Sequence, residues 1–202
     1  PPARISLPEP PFRKRLASNT SMTNEQDALV SLLQRNPNDK SISGRIASLE
    51  EAQPADLNRD ASLLDGVWDL RWSSSSQPWL RQAPWLENLQ ALDLKQNKGC
   101  NLLRLRGPLG TFGAISVQAT LNVINTKRVE VKFCKGGWLG PTLPGLGQIK
   151  LLRDVQQSFP AWLDITVLNQ QLRICRGNAG TTFALLKLDT TDIKELIEQD
   201  NN

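Results

Sequence analysis

Apolar and polar residues alternate along most of the chain from residue 65 onwards. The run from Ile115 to Val123 places an apolar side chain at every second position. Similar runs cover residues 67–72, 103–106, 128–134 and 163–167. A period of two is typical of β-strands with one buried face and one face in water. Short turns separate the runs, so the sequence predicts a mainly β fold with an antiparallel sheet.

Such a sheet has two exposed edges unless it closes on itself. An up-and-down barrel of about eight strands removes both edges. A barrel of this size is either filled by side chains or holds one small ligand. We therefore expect a β-barrel over about residues 65–188, within a domain over residues 22–202.

Two short N-terminal helices and a short C-terminal helix flank the predicted barrel. Leu29, Leu32 and Leu33 share one face of a helix that begins after Thr23 and ends before Pro37. The other two helices are predicted over residues 41–53 and about 192–199.

The composition of the 202-residue chain excludes several kinds of chemistry. It contains no His and no Tyr, so catalysis by Ser-His-Asp or Cys-His and His-ligated zinc or haem are excluded. Its three Cys are far apart and form no metal-binding or disulfide pattern. Asp164 is the one carboxylate that we expect to point into the barrel, and no acid–base pair is evident. We therefore predict neither an enzyme nor a cofactor or metal site.

The formal net charge is +4, and part of it lies in the first residues. Residues 1–21 are rich in Pro, Ser and basic residues, and we predict a disordered tail. Basic tails can touch nucleic acid or an anionic lipid surface. In the body of the chain the basic residues are scattered among acidic ones, and no base-reading motif is present. We therefore expect no nucleic-acid partner. No apolar run approaches the roughly 18 residues that would span a bilayer.

One arrangement points to a known architecture. Gly66 and Trp68 open the first strand, and Arg173 or Arg176 lies on a late strand. In lipocalin-type barrels a Trp placed in this way plugs one end of the barrel, and an Arg lies over its indole ring.

Two longer motifs resemble a family. The run LDGVWDLRWSS covers residues 64–74, and WLDITVL and LRICRGNAG cover residues 162–168 and 172–180. They resemble the plastid lipid-associated proteins, also called fibrillins, over about residues 25–190. The resemblance implies a non-catalytic, lipocalin-like barrel that binds apolar molecules and associates with thylakoids or plastid lipid droplets. We expect a cyanobacterial member on the cytoplasmic side of the thylakoid membrane. The alternative locations are the plastid stroma, thylakoid and plastoglobule.

Alternation along the strands predicts the wall of a ligand cavity. The predicted wall residues are Trp68, Leu70, Trp72, Leu103, Leu105, Val131, Phe133, Ile165 and Val167. Strand parity places either Arg173 or Arg176 inside, where it would pair with a ligand carboxylate. Fatty acids, carotenoids and prenylquinones are the candidate ligands. The alternative is a scaffolding protein with a filled barrel, which supports a membrane-associated prenylquinone-synthesis or photosynthetic complex through a protein partner.

Two apolar segments are candidates for contact with a peripheral membrane surface. Pro-Trp-Leu occurs at residues 78–80 and again at 84–86, and residues 136–147 contain Gly, Pro, Trp and Leu but no charge. We predict an irregular loop over residues 136–147. Indoles favour the lipid–water interface, although such segments can also form a lid over the barrel end. The predicted membrane contacts are Trp79, Trp85, Trp138, Leu139 and Leu143.

Overall fold

The structure, a computed structural model, describes residues 24–80 and 82–197, without the side chains of Trp79 and Glu195. The predicted disordered tail and the expected helix start at Thr23 lie outside the described residues. So do the last residues of the predicted C-terminal helix.

Short helices precede a set of strands. The helices are α1 over residues 24–35, α2 Ile42–Ala52 and α3 Leu57–Asp60. The described part of the chain has nine strands: β1 Gly66–Ser73, β2 Leu86–Asp93, β3 Lys98–Leu105, β4 Ala114–Val123, β5 Arg128–Leu143, β6 Gly147–Asp154, β7 Ala161–Leu168, β8 Leu172–Gly177 and β9 Thr182–Leu188. Four 3-10 turns cover Ala61–Leu64, Pro78–Leu80, Gly107–Phe112 and Ile193–Glu195. Among the described residues, none of the helices has the length and apolar character needed to cross a membrane.

Eight of the strands close into a ring through antiparallel pairing. Strands β1 to β5 follow one another, β5 pairs with β7, and β9 pairs back with β1. Strand β5 changes partner along its length, because residues 128–131 pair with β7 whereas residues 135–143 pair with β6. Strand β6 therefore lies outside the ring. This mainly β, lipocalin-like architecture confirms the predicted fold class.

The two N-terminal helices pack on the outer face of β7, β8 and β9. Leu29 and Leu33 of α1 are buried there, with Ile42, Ile46 and Leu49 of α2. Their spacings of three and four residues place each set on one side of its helix, which explains why both predicted helices form where they do.

Residues 136–147 form a β-hairpin rather than the predicted loop. Strand β5 continues to Leu143, and β6 begins at Gly147. The glycines permit close packing here: a Cβ on Gly137 would lie 2.1 Å from the carbonyl oxygen of Leu151. A Cβ on Gly140 would lie 2.5 Å from the Trp138 ring. The loop prediction was wrong because these glycines accommodate neighbouring atoms instead of interrupting the strand.

The C-terminal segment also differs from its prediction. In place of a helix that begins at residue 192, the structure has the 3-10 turn Ile193–Glu195. Ile193, Leu196 and Ile197 pack against the outer face of the strands from β1 to β4. These contacts fasten the described end of the chain to the sheet.

Candidate ligand-binding cavity

A cavity of about 290 Å³ lies inside the strand ring. This volume is close to the lower limit of small-molecule sites, which is roughly 300 Å³. Most of its wall is apolar and includes Leu70, Val117, Leu121, Val131, Phe133 and Phe183. Phe159 also lines the cavity, and its side chain is 58% exposed. Asn178 and Ala179 of the β8–β9 turn line the cavity too, and both are exposed. The cavity is therefore open at this end of the ring.

The other end of the ring is closed around Trp68. This indole is fully buried, and its Nε1 donates a hydrogen bond to the Leu64 carbonyl at 2.8 Å. The Arg173 guanidinium and the Lys187 ammonium lie 5.0 Å and 5.1 Å from the ring centroid. Lys187 also donates to the Leu63 carbonyl at 3.0 Å. These contacts hold the 3-10 turn before β1 across the end of the ring, as the Gly66-x-Trp68 arrangement predicts.

One wall of the cavity is polar. Asn88 and Gln90 of β2 and Asn101 of β3 line it, and Gln90 lies directly opposite Asn101 on the paired strands. The Oε1 atom of Gln90 accepts a hydrogen bond from Nη2 of Arg173. Burial lowers the pKa of Arg173 below its usual value. The polar wall therefore presents amide groups with a desolvated positive charge behind them.

Three of the predicted wall residues line the cavity. They are Leu70, Val131 and Phe133. Trp68 and Ile165 belong to the same buried interior cluster as Leu70, but they do not line the cavity. The alternation along β1, β5 and β7 thus gives the correct face at these five positions.

Trp72 and Val167 lie on the outer face, contrary to the predicted wall. The pairing register shifts between Leu70 and Trp72 in β1, and between Ile165 and Val167 in β7. A bulge adds one residue to a strand and reverses the face of every side chain after it. Both side chains consequently pack beneath α1 and α2. The alternation in the sequence continues through both bulges and does not mark them.

Strand parity places Arg173 inside the ring and Arg176 outside it. Arg176 Nε donates to Oε1 of Glu50 on α2 at 2.9 Å, and its Nη2 bonds the other carboxylate oxygen. This bidentate ion pair fastens α2 to β8. Arg173 is therefore the arginine beside the cavity, where Gln90 separates it from the open space.

An exposed apolar surface continues the cavity wall onto the β5–β6 hairpin. Leu103 pairs with Ile115, Ile115 with Trp138 and Trp138 with Leu151, in one row across four strands. Ile115 lies two residues from the cavity residue Val117 and on the same face of β4. Ile115 is 55% exposed and Leu151 is 63% exposed. We call this surface the rim face, and it consists of Leu103, Leu105, Ile115, Trp138 and Leu151. Leu103 and Leu105, which the sequence placed in the cavity wall, thus lie beyond it.

The predicted membrane contacts are distributed over several surfaces. Trp138 belongs to the rim face, Trp85 is exposed before β2, and Leu143 is exposed at the end of β5. Leu139 is buried on the opposite face of the hairpin, because alternation in β5 separates it from Trp138. The Trp79 side chain lies outside the described residues.

Sequence reasoning missed most of the residues that line the cavity, and three of them are instructive. Val117 and Phe183 lie at inward positions of β4 and β9, so alternation within those strands was a usable signal. Gln90 carried no signal of its own. Its place in the site becomes visible only when the fold brings Arg173 of β8 next to it.

The carboxylate that was expected to point inward lies on the outer face. Asp164 accepts hydrogen bonds from Arg128 Nε at 2.7 Å and from Arg128 Nη2 at 2.9 Å. These hydrogen bonds hold the pKa of Asp164 below its usual value. Within the described residues, no group of three or more His, Cys, Asp or Glu side chains could hold a metal ion.

The closed ring and its apolar cavity define a lipocalin-like β-protein. The chain belongs to the PAP_fibrillin family, whose family model matches residues 29–186. It is 31% identical over 193 aligned residues to probable plastid-lipid-associated protein 2, chloroplastic, of Arabidopsis thaliana. The alignment covers 72% of this chain and 62% of that relative, so this chain spans less than two thirds of the relative's length. No solved structure matches the chain.

Proposed function

We propose that this protein binds an apolar lipid-class ligand in the cavity and does no chemistry on it. The observation that carries the proposal is the cavity of about 290 Å³ with its largely apolar wall. Transfer of an apolar ligand from water into such a wall gains about 25 cal/mol for each Å² removed from water. The name of the Arabidopsis relative, plastid-lipid-associated protein, supports a ligand of this class. A fatty acid, a carotenoid or a prenylquinone has this chemistry.

The alternative function, a scaffold with a filled barrel, has less support. A barrel filled by its own side chains would leave no room for a ligand, whereas this ring encloses open space lined by Phe133, Phe183 and Leu121. Side chains of this size would close the space if the ring served only to present its outer surface. The cavity therefore favours the carrier over the scaffold for a prenylquinone-synthesis or photosynthetic complex.

Peripheral membrane association is the second part of the proposal. The rim face is an apolar surface in direct continuity with the cavity wall, and exposed apolar patches of this kind mark interaction sites. Trp138 supplies an indole, which favours the lipid–water interface. Residues 135–154, which form the β5–β6 hairpin, contain three basic residues and one acidic residue, so the hairpin would be attracted to an anionic leaflet. A ligand would then pass between the bilayer and the cavity along an apolar path.

The proposed location follows from the family. The Arabidopsis relative is chloroplastic by name. The corresponding location for this chain is a plastid, at the surface of a thylakoid or a plastoglobule. The cytoplasmic side of a cyanobacterial thylakoid offers the same lipid surface.

A cavity-filling substitution tests ligand binding. Val117→Phe adds bulk inside the cavity, whereas Val123→Phe places the same change at an exposed position of the same strand. We expect Val117→Phe to weaken binding of the neutral probe N-phenylnaphthylamine by about tenfold or more. Val123→Phe should retain wild-type affinity. Equal affinity of the two folded variants, verified by circular dichroism, would contradict binding in this cavity.

A further inference from the structure

We infer that the cavity selects apolar ligands that carry a carboxylate, and that the Gln90 amide, oriented by Arg173, is the group that binds it. This inference rests on the proposed function, because it names the class of ligand for the same cavity. A long-chain fatty acid has the required chemistry.

Arg173 is a buried positive charge without a negative partner. The side chain is 0% exposed, and a guanidinium keeps its charge at neutral pH. Its contacts are the Trp68 ring and the Gln90 amide oxygen, and within the described residues no carboxylate pairs with it. Among the described residues, the Nε and Nη1 atoms of Arg173 have no hydrogen-bond partner either. A desolvated charge of this kind favours a negative group nearby.

Arg173 determines which end of Gln90 faces the cavity. A guanidinium can only donate hydrogen bonds, so Gln90 must present its oxygen to Arg173. The Nε2 group, with two N–H donors, is left for the cavity that Gln90 lines. Arg173 is not among the residues that line the cavity, so it is a positioning residue that acts through Gln90.

The position of Gln90 also sets the direction of the ligand. Gln90 pairs with Trp68 in β1, at the closed end of the ring. Three aromatic side chains lie elsewhere along the wall: Phe133, Phe183 and Phe159. Of these, Phe159 is exposed and lies at the open end. A carboxylate at Gln90 thus leaves the apolar chain to run towards the mouth. Hydrogen bonds to a charged acceptor are stronger than those to a neutral one, so the site discriminates between acids and their esters.

Three ligands of equal chain length test this selectivity in the wild-type protein. Dodecanoate carries a charged acceptor, its methyl ester carries a neutral acceptor, and dodecane carries none. In competition with N-phenylnaphthylamine, we expect dodecanoate to bind about tenfold or more tightly than dodecane, with the ester between them. Equal affinity for all three would overturn this inference alone. If none of the three bound, the proposed function would fail, and this inference with it.

A substitution at Gln90 tests the assignment of the site. Gln90→Glu keeps an acceptor for Arg173 but removes the N–H donors and neutralises the buried charge. We expect dodecanoate to lose its preference over dodecane, while the affinity for dodecane stays within about twofold of wild type. The matched control is Gln171→Glu, the same change at an exposed position outside the cavity, which should leave the preference unchanged. A preference that persists in folded Gln90→Glu would overturn the assignment, and the wild-type series decides the selectivity if that variant does not fold.

Discussion

The ion pair between Arg128 and Asp164 shows how one residue pair joins two strands. The two residues are directly opposite each other on β5 and β7 and form two hydrogen bonds of 2.7 Å and 2.9 Å. The Arg128 guanidinium also lies 3.8 Å from the centre of the Trp162 ring. This is the part of the ring where β5 pairs with β7 over only residues 128–131. The ion pair therefore supports the shortest junction of β5 with the rest of the ring.

Asp164→Asn should destabilise the protein in a pH-dependent way. Arg128 holds the pKa of Asp164 below its usual value, so the pair contributes its full stability above about pH 4 and loses it as the pH falls through the lowered pKa. We expect the free energy of unfolding to fall by about 1 kcal/mol at about pH 7. The loss is small because solvent screens the partly exposed Arg128. The difference from wild type should shrink below about pH 4. Urea unfolding at about pH 7 and below about pH 4 measures the free energy of unfolding of both proteins. The control is Asp154→Asn, which changes an exposed carboxylate. If wild type and Asp164→Asn differed equally at the two pH values, the result would contradict the role of the ion pair.

At the scale of one element, the β5–β6 hairpin extends the cavity wall into solvent. Among the described residues, strand β6 pairs only with β5, and it presents Leu151 beside Trp138 on the rim face. The other side of the hairpin buries Leu139 and Leu152 against the sheet. A hairpin anchored on one face and apolar on the other is suited to contact a lipid surface.

A double substitution on the rim face tests membrane association. Ile115→Ser with Leu151→Ser changes two side chains that are already exposed, so the fold should tolerate both. We expect affinity in flotation with phosphatidylglycerol-containing vesicles to fall by about tenfold, since the loss of the two apolar contacts together weakens binding by roughly 1.5 kcal/mol. Ile124→Ser, which is exposed in the β4–β5 turn, is the matched control and should bind as wild type. Undiminished flotation of the double variant would show that the rim face does not contact lipid.

Period-two alternation predicted the elements well and the faces only in part. It identified five of the strands, the antiparallel sheet and the correct side for Leu70, Val131 and Phe133. It failed at Trp72 and Val167, because two bulges reverse the face without altering the sequence pattern. It also failed over residues 136–147, where glycines make room for the Trp138 ring and the Leu151 carbonyl. These features depend on pairing between distant strands, which a single sequence does not contain.

At the scale of the whole molecule, the two ends of the ring differ. One end is closed by Trp68, Arg173, Lys187 and the 3-10 turn before β1. The other end is open beside Phe159, and the rim face extends from the same wall. The ring therefore has one end closed around Trp68 and an opening beside Phe159. This asymmetry supports the proposed binding of a ligand inside the ring.

Native mass spectrometry of the wild-type protein, purified gently from a photosynthetic host, tests the central claim most directly. We expect the chain to carry an additional mass, and we expect that mass to correspond to a single apolar ligand in the cavity of about 290 Å³. The Val117→Phe variant, prepared in the same way, should lose this mass. A wild-type protein that appears without additional mass, and that also fails to take up added dodecanoate, would contradict the account.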